Sequence, residues 1–305
     1  MSDRESGLEH ISVCICTYKR PILLDKLLHK LENQKTDDLF TYSVVVVDND
    51  VSKTARAVVD AFSARATVSV VYDVEPERGF CLVRNRAVEN ARGAHIAFID
   101  DDEYPDVEWL YRLYKALKEY KADGVLGPII PHYDTEPPKW LIRGRLCERE
   151  SFKTGTVIQN HVYTRTGNVL LDRSLFVDNQ ITFDPRFGKT GGEDSDFFKR
   201  MMDRGKVFVW CDDAPVWELV PRERMEKAYF LKRALMRGFN NSKKAPGLSM
   251  TTLKSLVAVV LYTAALPFCL LMGQHVFMKY LIRNCDHMGK LLGILGMAPT
   301  EQRSF

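Results

Sequence analysis

The first 130 residues alternate apolar, β-branched runs with segments of helical period, and few folds accept that rhythm. Ile11–Cys16 reads as a buried strand. Pro21–Asn33 follows with leucines at 23, 24, 27, 28 and 31, a helical spacing with proline in the first turn. Tyr42–Val47, Val68–Tyr72, His95–Ile99 and Gly124–Ile130 read as further strands, separated by helices over Ser52–Ala64, Phe80–Arg92 and Val107–Tyr120. Strands that alternate with helices predict an α/β fold, a mostly parallel sheet covered on both faces.

After Pro131 the rhythm changes. Pro131–Glu150, with Pro137, Pro138 and Gly144, reads as a long surface excursion. Thr156–Asp172 reads as two short strands, Ser195–Arg204 as a helix, Val207–Trp210 as a strand and Arg222–Asn241 as a basic helix. Between Lys254 and Lys279 lie 24 residues without Asp, Glu, Lys or Arg. As one helix they extend about 36 Å, enough to cross a bilayer core. Pro267 lies inside the stretch, and Tyr280–Met297 after it carries Arg283, Asp286 and Lys290, as an interfacial helix or half of a hairpin does. The expected organisation is a catalytic domain over residues 1–245 and a membrane-associating helical tail over 246–305.

Charge and cysteine content narrow the classes. A net charge of +3 is too small to argue for nucleic acid. Seven cysteines without a C-x-x-C pair form neither a disulfide framework nor a zinc site, which fits a reducing compartment. Cys14 and Cys16 share one face of a strand, as small buried hydrophobes. Met1–Glu9 is polar and lacks the apolar core of a secretory signal. From Arg222 to Lys244 there are eight basic residues (222, 224, 227, 232, 233, 237, 243 and 244) against two acidic ones. Placed just before an apolar stretch, they fit attraction to anionic lipid on the cytosolic side.

The candidate chemistry sits at Asp100-Asp101-Asp102-Glu103, directly after an apolar run. Ligands of open α/β sheets bind beyond the carboxyl ends of the strands. Carboxylates packed together repel unless a cation sits among them, and Mg²⁺ shares its shell between one or two carboxylates and phosphates. Asp48-Asn49-Asp50 ends the second strand, Arg84-Asn85-Arg86 lies in the third helix, and Gly191-Gly192-Glu193-Asp194 precedes a late helix.

In their order and spacing these motifs resemble the family-2 inverting glycosyltransferases of GT-A fold, Rossmann-like α/β domains, in the branch that builds bacterial exopolysaccharide and surface glycans. The resemblance covers roughly residues 10–240. It implies a nucleotide-sugar donor, UDP-linked first, and a lipid-linked or saccharide acceptor. It also implies membrane lipids as partners at the cytosolic face of the inner membrane. Thr17, Tyr18, Asp48, Arg84, Asp100, Asp101 and Asn168 would then contact the donor. Asp102 and Asp100 would hold Mg²⁺ or Mn²⁺. Asp194 would be the general base, with Glu193 next in line, and Trp140 would face an acceptor sugar. Asp48 also reads as a turn residue, Asn168 as a buried structural amide, Trp140 as a loop anchor and Asp194 as a helix N-cap. Related sequences often carry His where Glu218 stands. Transfer to polyprenyl phosphate, or a membrane scaffold that keeps the fold without the chemistry, are the alternatives. The haloacid dehalogenase pattern is excluded by Tyr104 two residues after Asp102, and a dehydrogenase by the lack of G-x-G-x-x-G.

Overall fold

A computed structural model describes residues 7–177, 182–187, 191–242 and 250–297. Strand β1 (Glu9–Thr17) is apolar on both faces and lies between β2 (Phe40–Asp48) and β4 (His95–Asp100), parallel to each, with β3 (Ser69–Val74) outside β2. Helices α1 (Pro21–Leu31), α2 (Arg56–Ser63) and α3 (Phe80–Asn90) make the crossovers. Beyond β4 the chain forms β5 (Glu103–Pro105), α4 (Trp109–Tyr120), β6 (Gly124–Leu126), β7 (Ile129–His132) and the short helix α5 (Lys139–Arg143). It continues through β8 (Asn168–Asp172), α6 (Ser174–Val177), α7 (Glu193–Met202), β9 (Phe208–Trp210) and β10 (Val216–Leu219). Three helices close the described chain: α8 (Lys227–Ser242), α9 (Met250–Leu271) and α10 (Gln274–Ile294).

The main sheet has the order β3-β2-β1-β4-β8-β6-β9, and only β8 runs against its neighbours. Side chains of β1 alternate between two cores. Ile11, Val13 and Ile15 join Leu24, Leu27 and Leu28 of α1 and Trp109 of α4 on one face. Cys14 joins Val83 and Ala87 of α3 and Phe197 and Phe198 of α7 on the other, with Cys16 packed against the same cluster. Burial on both faces explains why these strands read as continuous apolar runs. All seven cysteines are free, as expected.

Several elements differ from the sequence expectation. The strand expected over Gly124–Ile130 is two strands in two sheets: β6 in the main sheet, and β7 in a small sheet of order β5-β10-β7. The change of sheet falls at Gly127-Pro128. A Cβ at Gly127 would lie 2.4 Å from the Ala214 carbonyl oxygen, and proline has no N–H to continue a ladder. Of the two strands expected in Thr156–Asp172 only β8 forms; Val157 makes a lone bridge to Val209, and His161–Tyr163 is a single 3-10 turn. Helix α2 begins at Arg56 instead of Ser52 because Asp48 and Asp50 draw the amides of Ser52 and Ala55 into a turn.

Packing groups the chain into two compact units, one of residues up to Ile130 with Arg149–Glu218, the other of Pro131–Glu148 with the chain from Leu219 onward. The excursion after Pro131 and the basic helix thus pack with the C-terminal helices, whereas the boundary expected at residue 245 places them in the catalytic domain. Inside the second unit, Leu141, Val220, Met225 and Phe230 form a small core. Helices α8 and α10 cross at glycines. A Cβ on Gly238 would lie 2.0 Å from the Asp286 carbonyl oxygen, and one on Gly289 2.0 Å from that of Leu235, so any larger residue forces the backbones apart. The expected basic helix is a 3-10 turn (Arg222–Met225) followed by α8, and Lys243 and Lys244 lie outside the described residues. The apolar stretch continues through Pro267 and breaks at Gly273, where φ is +120°.

Candidate active site

Strand register brings the motifs of the first unit to one edge of the sheet. Thr17 pairs with Asp48, Cys16 with Asp100, and Ile99 with Asn168, so β1, β2, β4 and β8 present these residues side by side. The strand order reverses at β1 and β4, the place where open α/β sheets bind ligands.

The acid cluster has a counter-ion that sequence reasoning missed. Arg20 Nη1 donates to Asp101 Oδ1 at 2.9 Å and to Asp102 Oδ2 at 3.1 Å. Thr17 Oγ1 donates to Asp101 Oδ2 at 2.8 Å, which occupies both Asp101 oxygens. Burial pushes the Asp101 carboxyl up, against the pull of Arg20 and Thr17. Lys19 takes φ +53° between the end of β1 and Arg20. The only sequence signal for Arg20 was its place in Thr-Tyr-Lys-Arg-Pro, just before a helix. Asp100 is half-buried, and its carboxylate makes no hydrogen bond among the described residues. Its backbone N–H donates to Glu103 Oε2 at 3.0 Å.

Glu103 is the second residue the sequence did not single out as a role. It is fully buried, and burial pushes its carboxyl well up, with Asp100 adding to the rise and Arg149 opposing it. A Cβ on Gly167 would lie 2.5 Å from Glu103 Oε1, so glycine there makes room for this carboxyl. Glu103 faces Glu218 across the β5–β10 ladder, and Arg149 donates to Glu218. Glu218 thus stands with an arginine counter-ion.

Arg84 and Glu193 form a buried ion pair between α3 and the first residue of α7. Glu193, with Asp100 and Asp194 nearby, holds the Arg84 guanidinium above its ordinary range despite the opposing cost of burial. Glu193 Oε2 is buried and accepts no hydrogen bond among the described residues. The N-cap of α7 is Gly192 (φ +96°), not Asp194, so the capping role considered for Asp194 is corrected. Asp194 is half-buried in the first turn, where Ser195 N–H donates to its Oδ1 at 2.7 Å.

Other candidates are placed differently. Both Asp48 oxygens serve structure: Oδ1 accepts from Asp50 N–H at 3.0 Å, and Oδ2 from Ala55 N–H at 2.9 Å and Tyr72 OH at 3.1 Å. Asn168 accepts from Trp109 Nε1 at 2.8 Å and donates to the carbonyls of Pro128 at 2.9 Å and Ala214 at 2.8 Å. Both amide hydrogens are spent, which leaves none for a donor sugar. The Tyr18 ring carries the Arg78 guanidinium 4.1 Å from its centroid. Asn49 fixes the loop that holds Arg78, by donating to the carbonyls of Glu75 at 2.8 Å and Glu77 at 2.7 Å. Trp140 belongs to the second unit. There it packs edge-on against Phe230 at 5.8 Å, with Lys227 Nζ 5.9 Å from its ring.

Residues 12–178 match the family model for glycosyl transferase family 2. The succinoglycan biosynthesis protein ExoM of Rhizobium meliloti (strain 1021) is 30% identical, over 96% of this chain and 95% of its own length. The chain belongs to glycosyl transferase family 2. Structural likeness agrees on the fold. The mannosyltransferase PcManGT of Pyrobaculum calidifontis, in complex with GDP-Man and Mn²⁺, aligns with a TM-score of 0.62 at 17% identity. That alignment covers 93% of this chain and 87% of the other. Residues 1–349 of TarS from S. aureus, in complex with UDP, align with a TM-score of 0.54 at 17% identity, covering 94% and 90%. The GT-A fold expected from the motifs is thus the fold of this glycosyltransferase.

Its residues suit a divalent cation only if phosphates complete the shell. Among the described residues no three His, Cys, Asp or Glu side chains gather as a metal cage. Asp100, with no hydrogen bond among the described residues, and Asp102, paired to a half-exposed arginine, are hard oxygen donors of the number that Mg²⁺ takes from protein when phosphates supply others.

Proposed function

We propose that this glycosyltransferase moves a sugar from a UDP-linked donor, with inversion, to a lipid-linked or saccharide acceptor in surface polysaccharide synthesis. The buried Arg84–Glu193 pair carries the reading, because Asp100 and Asp194 both act on the same Arg84 guanidinium, which supports a base in the first turn of α7 working with the acid cluster. UDP in the TarS complex supports the choice of base. ExoM supports the polysaccharide context.

Asp100 and Asp102 are the residues that would hold Mg²⁺ or Mn²⁺, which GDP-Man and Mn²⁺ in the mannosyltransferase complex support. When bound, such a cation offsets the negative charge that grows on the leaving nucleoside diphosphate. Asp194 takes the proton of the acceptor hydroxyl. The acceptor oxygen bonds to the anomeric carbon as the bond from that carbon to the diphosphate breaks, and a single displacement inverts the centre. Ser195 N–H fixes one Asp194 oxygen and leaves the other for the proton. Glu193 Oε2, buried without a hydrogen-bond donor among the described residues, accepts from a hydroxyl of the donor sugar. Tyr18 stacks with the base.

Catalysis is assigned to residues 1–245 and attachment to the cytosolic face of a membrane to 246–305, where α9 is long and apolar enough to cross one. The test is release of UDP from a panel of UDP-sugars by the purified chain with Mn²⁺, and the anomeric configuration of the product by NMR. Release with inversion supports the reading. A chain that binds UDP but never releases it from any donor overturns catalysis and leaves the scaffold.

A further inference from the structure

We propose that α9 lies in the plane of the membrane, buried in one leaflet, instead of crossing it. The inference rests on the membrane association proposed above and decides its geometry. Helix α9 has its polarity reversed for water. The stripe that packs on α10 holds the buried Thr252 and Ser255, and Ser255 Oγ meets His287 Nδ1 at 3.2 Å. Outside that stripe, Leu253, Val257, Val260, Leu261 and Phe268 are each more than half exposed. A helix that keeps hydroxyls inside and presents leucine, valine and phenylalanine outward is suited to a hydrocarbon solvent.

Its 22 residues span about 33 Å, enough to cross a bilayer, so length alone allows either geometry. The partner helix decides. Tyr280 packs on Tyr262 with ring centroids 5.7 Å apart, and Asn284 Nδ2 donates to Thr263 Oγ1 at 3.0 Å. These contacts place α10 residues 279–284 beside the middle of α9. Lys279 and Arg283 are exposed at that level. Three residues beyond Arg283, Asp286 is paired to Arg237 of α8, which carries the exposed Lys232 and Arg233 beside it. If α9 stood upright across the bilayer, these charges would sit near the midplane, beyond the reach of snorkelling side chains, where ionised groups are costly. With α9 in the plane, its outer face enters the acyl region while α10 and α8 stay in the headgroup layer or above it. Lys254, Lys279 and Arg283 then face anionic headgroups.

The test uses the full chain with vesicles of phosphatidylcholine, alone or with a third of phosphatidylglycerol. The chain should float with the vesicles, several-fold more with the anionic lipid. Val260→Asp together with Leu261→Asp should lower flotation at least tenfold and leave UDP release unchanged. For depth, Leu253→Trp, Leu261→Trp and Phe268→Trp are read singly against lipids brominated near the headgroup or near the acyl end, with the unsubstituted chain as background. Similar quenching at all three positions, stronger by the shallow bromines, supports the in-plane helix. Quenching of Leu261→Trp mainly by the deep bromines, with the other two shallow, overturns it and leaves membrane association standing. A chain that floats with neither vesicle and sediments as a dimer dispersed by the Val260→Asp, Leu261→Asp pair overturns both, because a second copy then covers the face.

Discussion

Arg84 on α3 donates to Glu193, the first residue of α7, and both side chains are about nine-tenths buried. Removing one partner strands a buried charge, which costs about 3–5 kcal/mol. Arg84→Met should lower the unfolding free energy measured in urea by that amount, and Arg84→Met with Glu193→Met together should cost much less than the two single losses summed. An Arg84→Met chain as stable as the parent would show that the pair does not hold α7.

Asp194→Asn keeps the shape of the side chain and the hydrogen bond from Ser195. Transfer should fall about 10²–10⁴-fold, as loss of a general base does. The melting temperature and UDP affinity should stay within error of the parent. Equal loss of affinity would make Asp194 a donor-binding residue instead.

Arg20→Gln leaves Asp101 and Asp102 without their guanidinium. Asp101 already sits above its ordinary range because burial outweighs Arg20 and Thr17. Losing Arg20 raises it further. A carboxyl raised by folding loses stability as pH climbs above the unfolded value. The variant should therefore match the parent below pH 4 and fall behind it toward pH 7. The deficit should be about 1 kcal/mol, since the Arg20 side chain is 42% exposed. Thermal melts across that range decide it; a deficit independent of pH contradicts the assignment.

Glu9 tests the opposite sign. Lys118, His95 and Tyr114 hold its carboxyl down at about 2 against the opposing effect of burial. Its contribution is complete above the ordinary carboxylate range and is lost as pH falls from about 4.5 toward 2. Glu9→Gln should cost about 1 kcal/mol at neutral pH, discounted for a side chain 38% exposed, and nothing near pH 2. Melts at pH 7 and pH 2.5 measure both.

What the sequence revealed depended on how local the cause was. Strands β1, β2 and β4 were legible because burial on both faces makes a continuous apolar run, and Asp100 and Asp48 followed because they end those runs. The break at Gly127-Pro128 was not legible, since it answers to Ala214 and Asn168, far along the chain. Strands β5 and β10 are three and four residues long and exist through each other. The same distance hid Arg20: its partners stand 81 and 82 residues away, and nothing beside it in sequence names them. Asn168 looked like a donor contact next to Gly167, yet Pro128 and Ala214 take both its amide hydrogens and Trp109 donates to its oxygen.

The central claim is a nucleoside diphosphate site built on Asp100 and Asp102. The most direct measurement is the melting temperature of the chain with UDP, GDP, ADP and CDP, each with and without Mn²⁺, for the parent and Asp102→Ala. A ligand that binds only the folded state raises stability by mass action, about 2.7 kcal/mol at a hundred times its Kd. The account predicts a rise with UDP that needs Mn²⁺ in the parent and is lost in Asp102→Ala. No rise with any nucleotide in folded parent protein, or a rise that Asp102→Ala keeps in full, would contradict it.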